Sequence, residues 1–299
     1  MRKTEGIDPR FVELDSWPTA TAVEAMLEGQ LSAAAAVQGQ VGAIAAAADR
    51  AAERLGSDGR LVFAGAGTSG RIAVQDGVEL GPTFGWPAAR TVFLLAGGMD
   101  ALAQSAEGAE DDGPRARADV AAHRIGANDV MVGVAASGRT PFTIAAIEAA
   151  RTAGALTIAI ANNPATPLLA AAELAITLDT GAETIAGSTR MKAGTAQKIA
   201  LNLLSTAIML RLGRVYRGRM VDMVISNAKL RDRAERMVGD LADVPVDRAA
   251  AALDRADNDI KLGVLVARGL DTDAARALLA RAGGRLRDAM ALLDMEPGR

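Results

Sequence analysis

Apolar and polar positions divide this chain into three stretches of different rhythm. Between Thr19 and Leu55 apolar residues, many of them Ala, recur with the spacing of a helix face, interrupted at Gly29 and Gly39. That pattern predicts a long helical hairpin. From Leu61 the rhythm alternates. Short runs apolar at nearly every position (61–64, 91–95, 130–135, 156–161 and 174–177) are separated by segments of helical spacing (71–79, 99–106, 114–124 and 141–153). A strand without polar alternate positions is covered on both faces, so the pattern predicts an α/β fold: a mainly parallel five-stranded sheet between helical layers. A long apolar helix is predicted over 191–212. Beyond Asp240 the chain becomes charged and Ala-rich, with short helical patterns over 246–254, 259–268, 272–282 and 286–293 separated by turns at Gly269 and Gly283-Gly284. The predicted organisation is an N-terminal helical arm (1–55), a central α/β domain (56–239) and a small helical domain (240–299).

Composition narrows the chemistry. The 299 residues are 50% hydrophobic but only 3% aromatic, so the core is built from small aliphatic side chains. A formal net charge of -3 offers no basic footprint for nucleic acid. Cysteine is absent, which excludes disulfides and thiolate zinc sites. One histidine exists, His123, in a segment that reads as an exposed helix. Histidine metal sites and a Ser-His-Asp triad are therefore not expected, and acid–base work falls to carboxylates. The first residues lack an apolar leader and charges interrupt each later apolar stretch, so a cytoplasmic protein without a membrane span is expected.

Ligands of open parallel sheets bind beyond the carboxyl ends of the strands. Three loops there combine glycine with hydroxyls ahead of a predicted helix. They are Gly65-Ala-Gly-Thr-Ser-Gly70, Ala136-Ser-Gly-Arg-Thr140 and Ala186-Gly-Ser-Thr-Arg-Met-Lys192. Ser and Thr cap helices everywhere, so each loop alone is equally well a cap. Together they predict an anion cradle. The glycines at 65, 67 and 70 also spell the dinucleotide fingerprint. That reading requires an acid at the end of the next strand to hold a ribose hydroxyl. Here 91–95 is followed by Ala96-Gly97-Gly98, and a phosphate monoester fits the hydroxyl-rich loops better. The expected contacts are Thr68, Ser69, Ser137, Thr140, Ser188 and Thr189, with backbone N–H groups of Gly70 and Gly138. Arg190 and Lys192 rank below them, as partners for structural carboxylates.

The runs Gly65–Arg71, Ala135–Pro141 and Gly187-Ser-Thr-Arg-Met-Lys-Ala-Gly-Thr-Ala-Gln-Lys198 resemble the N-acetylmuramic acid 6-phosphate etherases, a family of the sugar-isomerase (SIS) fold. The likeness extends through Glu107–Asp111 and Met220–Asn227, and weakly into a tail similar to a ubiquitin-associated (UBA-like) helical domain. Two places depart from the family pattern. Thr4-Glu5 is followed by Asp8 and Phe11 where the family has Asn and then Thr or Ser, and the usual Asp-Ala-Ser-Glu stands as Asp76-Gly-Val-Glu79.

The resemblance implies a lyase that cleaves the D-lactyl ether at C3 of the phosphosugar, with no metal or organic cofactor. By motif position it implies Glu79 as proton donor and Glu110 as the second carboxylate, the C2 base; Glu107 is support only. Composition alone would read Glu110 as a solvated acidic helix end. A helix from the first loop would carry Glu79 about 13 Å from it, and Glu110 lies similarly far beyond Gly97-Gly98. Either these helices break early, with Gly77 a candidate, or the carboxylates serve the loop of a neighbouring subunit in a homodimer. An aldose–ketose phosphosugar isomerase and a phosphosugar-sensing regulator are alternatives on the same fold. A basic helix-turn-helix is lacking for a DNA-binding version.

Overall fold

A computed structural model describes residues 3–104 and 106–295. The Ala-rich hairpin forms α1 (Thr19–Gln38) and α2 (Val41–Leu55), turning at Gly39-Gln40 only. Gly29 does not break α1. It lies where the helix packs closely: a Cβ there would stand 3.1 Å from Thr184 Oγ1 and 3.4 Å from Lys192 Cδ. Gln40 Oε1 accepts the N–H of Thr177, so the hairpin also covers the sheet's last strand.

The alternating region folds as β1 (Leu61–Gly65), α3 (Gly67–Phe84), β2 (Thr91–Leu95), α4 (Gly113–Ala122), β3 (Val130–Ala135), α5 (Pro141–Thr152), β4 (Leu156–Ala161), α6 (Pro167–Ala171) and β5 (Leu174–Thr177), followed by α7 (Lys192–Arg211). All four strand pairings are parallel, in the order β2-β1-β3-β4-β5. Every residue of β1, β3 and β4 is buried, which is why those runs read as uninterrupted apolar sequence. The segment expected as a helix over 99–106 forms only a short 3-10 turn, Met99–Leu102; Ser105 lies outside the described residues.

At the amino edge of the sheet, Asp129 ties the entries of β1 and β3 together. Its carboxylate accepts the N–H, Nε and Nη2 of Arg60, the last at 2.7 Å, and the N–H of Gly126. The same guanidinium reaches the carbonyls of His123 and Arg124. Burial alone would raise the Asp129 carboxyl, but these donors outweigh it and hold the group below its usual range.

The chain forms two compact units, Met1–Val78 with Ala88–Ile208 and Glu79–Pro87 with Met209–Arg299. The second contains α8 (Ala228–Ala242), α9 (Val246–Arg255), α10 (Ile260–Ala267), α11 (Thr272–Arg281) and α12 (Leu286–Met295) around a core that includes Val238, Leu253, Val264 and Leu265. Lys261 is buried there against Asp222 at 2.5 Å and donates to the carbonyl of Gly284. Burial pushes the Asp222 carboxyl up, against the pull of Lys261 and Arg214. Arg214 Nη1 donates to the carbonyls of Phe84 and Gly85, stitching the 79–87 segment into this unit. No single helix among the described residues is long and apolar enough to cross a membrane.

A Cβ at Gly77 would lie 2.5 Å from Phe93 Cε1 and 2.8 Å from Phe63 Cε2, rings stacked at a 6.0 Å centroid distance. Gly77→Ala should therefore lower stability by about 1–3 kcal/mol in denaturant titration, although Ala is the better helix former. Asp129→Asn should cost about 2 kcal/mol near pH 7. The Asp129 value is depressed on folding, so its contribution is present above about pH 4 and is lost as pH falls through the lowered folded value. Urea midpoints of wild type and variant should converge on acidification.

Candidate functional site

β1 passes into α3 through Ala66 alone, so the first glycine-rich loop is mostly the first turn of a helix. α3 begins at Gly67 rather than at Arg71, which places Thr68 and Ser69 inside that turn. The first helical hydrogen bond runs from Gly70 N–H to Ala66 carbonyl at 3.0 Å. The N–H groups of Gly67, Thr68 and Ser69 thus precede the ladder, at the positive end of the helix. The glycines at 65 and 70 serve contact between backbones. A Cβ on Gly65 would lie 2.8 Å from Gly70 Cα, and one on Gly70 would lie 2.4 Å from Leu95 Cδ1. Gly70 was expected to offer its N–H to a ligand; that N–H is spent on Ala66, and the residue supplies close approach instead.

β3 runs beside β1, with Gly65 in register with Val134, so the second loop opens next to the first. Ser137 Oγ accepts the N–H of Arg139 at 3.2 Å. Gly138 has φ +63, and a Cβ there would fall 2.3 Å from Thr166 Oγ1, so no other residue fits. Its N–H donates to Ala135 carbonyl at 3.1 Å. As at Gly70, the expected free donor is an internal one. Thr140 is the N-cap of α5, yet its hydroxyl makes no capping bond, and Pro141 follows. The start of α5 is left open.

The third loop differs. Both oxygens of Glu183, a fully buried residue, accept the N–H groups of Lys192 and Ala193 at 2.8 and 2.9 Å. The positive end of α7 already holds a carboxylate. Lys192 Nζ donates to Ala182 carbonyl, which makes this lysine structural. The N–H groups of Ser188 and Thr189 donate to Ile185 and Gly187, so the loop's remaining offer is two half-buried hydroxyls. They lie near the first loop, since a Cβ on Gly194 would sit 3.4 Å from Thr189 carbonyl oxygen and 3.6 Å from Thr68 Cγ2. Sequence reading missed Asn162 beneath this edge. Its amide donates to Leu178 and Ala193 carbonyls and accepts from Gln197, bridging β4 to α7.

The two carboxylates part company. After the Met99–Leu102 turn the chain reverses at Gly108, φ +72, and Glu110 stands in a second 3-10 turn, Ala109–Asp111. Glu110 and Glu107 line a cavity of about 290 Å³ with Gly67 and Arg71. Of the two alternatives for Glu110, an early break or a neighbouring subunit, the fold takes the early break: the missing helix lets the chain fold back. Arg71 helps by donating to Ala101 and Leu102 carbonyls. Glu79 behaves otherwise. α3 is unbroken through Gly77, and Glu79 is exposed well along it, the first residue of the second compact unit. His123 is exposed at the end of α4.

Residues 43–151 match the glucokinase regulatory protein N-terminal SIS domain, and residues 114–207 match the SIS domain. Among curated proteins, the N-acetylmuramic acid 6-phosphate etherase of Deinococcus radiodurans is 47% identical over 97% of this chain and 95% of its own length. The etherase of Streptomyces coelicolor is 46% identical over 96% and 93%, and that of Symbiobacterium thermophilum 48% over 88% and 87%. With its parallel five-stranded SIS sheet, its hydroxyl-bearing loops and identity of this level over nearly its whole length, the chain belongs to the N-acetylmuramic acid 6-phosphate etherase family.

Proposed function

We propose that the chain cleaves the ether of N-acetylmuramic acid 6-phosphate, releasing D-lactate and N-acetylglucosamine 6-phosphate in amino-sugar catabolism or peptidoglycan recycling. One observation carries the substrate class. Two helices, α3 and α5, start at the ends of adjacent strands with hydroxyls beside them, α5 without a side-chain cap and α3 directly after Ala66, whereas α7 is filled by Glu183. A phosphate monoester matches the pair of open ends in charge and acceptor number. Thr68, Ser69, Ser137, Thr140, Ser188 and Thr189 supply the side-chain donors. Gly70 and Gly138 supply the space.

The chemistry follows from the ring-opened sugar, whose C1 aldehyde acidifies the C2 proton. Glu110 removes that proton, Glu79 protonates the lactyl oxygen as the C3–O bond breaks, and water adds across the resulting double bond at C3. Neither step asks for more than a base and an acid. Glu110 reaches the cradle from its own chain through the shared cavity. Glu79 serves the cradle of a second copy in a homodimer. This assignment is supported by its distance along an unbroken α3 and by exposed apolar residues: Val78 beside it, and Val23, Leu27 and Leu31 at every fourth position of α1.

Incubation with N-acetylmuramic acid 6-phosphate in doubly labelled water tests the reaction. D-lactate release, solvent hydrogen at C2 and solvent oxygen at C3 are expected; intact substrate that nonetheless binds would favour a sensor. Glu110→Gln should lower kcat by about 10²–10⁴-fold while N-acetylglucosamine 6-phosphate still binds. Chains carrying Glu79→Ala and Ser137→Ala, inactive alone, should recover activity as mixed dimers. Proven heterodimers without recovery would sink the shared site.

A further inference from the structure

The N-terminal turn is exposed to solvent on most of its surface, yet Thr4 within it is fully buried. Its partners come from far along the chain. Asn163, the second residue after β4, accepts the N–H of Lys3 at 2.8 Å on its Oδ1, and its Nδ2 donates to Thr4 Oγ1 at 3.0 Å. The same Nδ2 donates to Ala136 carbonyl at 3.0 Å, the residue directly before Ser137. On its other side, Thr4 carbonyl accepts the N–H of Gly187 at 3.3 Å, the residue directly before Ser188. Glu5 follows the same course, with Oε2 3.4 Å from where a Cβ of Gly187 would sit. The exposed Lys3–Asp179 pair closes the turn from outside and contributes little by itself.

Thr4 therefore links the two loops that lack a helix ladder: it bonds Gly187 of the third directly and reaches Ala136 of the second through Asn163. The first loop is rigid because it is the first turn of α3. The second is fixed on one side by Thr166 against Gly138, and the third begins at Gly187 with φ +75. Nothing within either loop sets the separation of Ser137 from Ser188. Two ties from the end of β4 do: Asn162, which joins Ala136 carbonyl to Ala193 and Gln197 on α7, and the chain Ala136–Asn163–Thr4–Gly187, which alone reaches the residue before Ser188.

We propose that Thr4 is a positioning residue for substrate binding: the N-terminal turn is a strap that fixes the second and third phosphate-binding loops at one spacing. The departures from the family pattern at Asp8 and Phe11 fall outside this strap, which is complete by Glu5. The inference rests on the phosphosugar reading above, because only a ligand held by both loops feels their spacing. Thr4 touches no reacting atom, so its loss acts on binding and leaves the chemical step alone.

The experiment uses the full-length chain, with N-acetylglucosamine 6-phosphate as calorimetric ligand and N-acetylmuramic acid 6-phosphate as substrate, well below the melting temperature. Thr4→Val should raise Kd and KM about tenfold, the worth of one hydrogen bond, with kcat within about twofold. Thr4→Ser, which keeps the hydroxyl, should restore both. Deletion of residues 1–6 lets water reach Asn163, so it avoids the folding hazard of an apolar side chain against a buried amide; it should reproduce the binding defect. Ser137→Ala serves as the control for the cradle. If Ser137→Ala weakens binding while Thr4→Val and the deletion change only the melting temperature, the strap is overturned and the cradle stands. If Ser137→Ala binds as wild type does, the cradle reading fails and the strap falls with it.

Discussion

The contact between Gly65 and Gly70 governs the rest of the site. Strand and helix backbones meet there at a distance no side chain tolerates, so α3 turns off β1 after a single residue. Its first N–H groups consequently stand at the sheet edge, and Thr68 is delivered beside Gly194 at the start of α7. The same constraint explains why the spacing copies a dinucleotide fingerprint. Both need a helix to leave a strand abruptly and pack against it, and the glycines encode that motion rather than the ligand.

Charge is distributed among the helix ends with economy. One buried carboxylate, Glu183, satisfies α7 and thereby turns the third loop into a supplier of hydroxyls. Among the described residues no carboxylate accepts from the first turns of the two neighbouring helices, α3 and α5. On the proposed reading a dianionic ligand would meet two positive ends instead of three, and the loop nearest Glu183 would contribute neutral donors that do not raise the repulsion between phosphate and carboxylate. At the opposite edge of the sheet, Arg60 and Asp129 hold β1 and β3 in the register on which this arrangement rests.

The strands were legible because burial on both faces leaves no polar alternation to confuse the pattern, as in β3 and β4. The placing of Thr68, Ser137 and Thr140 at helix entries was legible because such entries draw Ser and Thr. The start of α3 was not, since Gly-Thr-Ser-Gly has the local chemistry of a loop and only packing against Leu95 overrides it. The path to Glu110 was not legible for the opposite reason. Helical spacing over 99–106 promised a helix, and the positive φ of Gly97, Gly98 and Gly108 bends the chain back instead. α8 was not anticipated, although its apolar stripe is regular. Gly77 had a cause invisible in one dimension: the Phe63 and Phe93 rings occupy the space of a methyl group. Thr4 and Asn163 carried no local signal at all, because their pairing spans most of the first compact unit.

That span has a consequence for how the molecule is made. Thr4 precedes both its partners, Asn163 and Gly187, by more than half the chain, so it is synthesised well before either. A nascent chain holding β1 through α5 already has two open helix ends, but not the far loop or the amide that joins them. The turn at Thr4 thus waits to dock until the chain through Gly187 has been made, a long-range closure that comes late in folding.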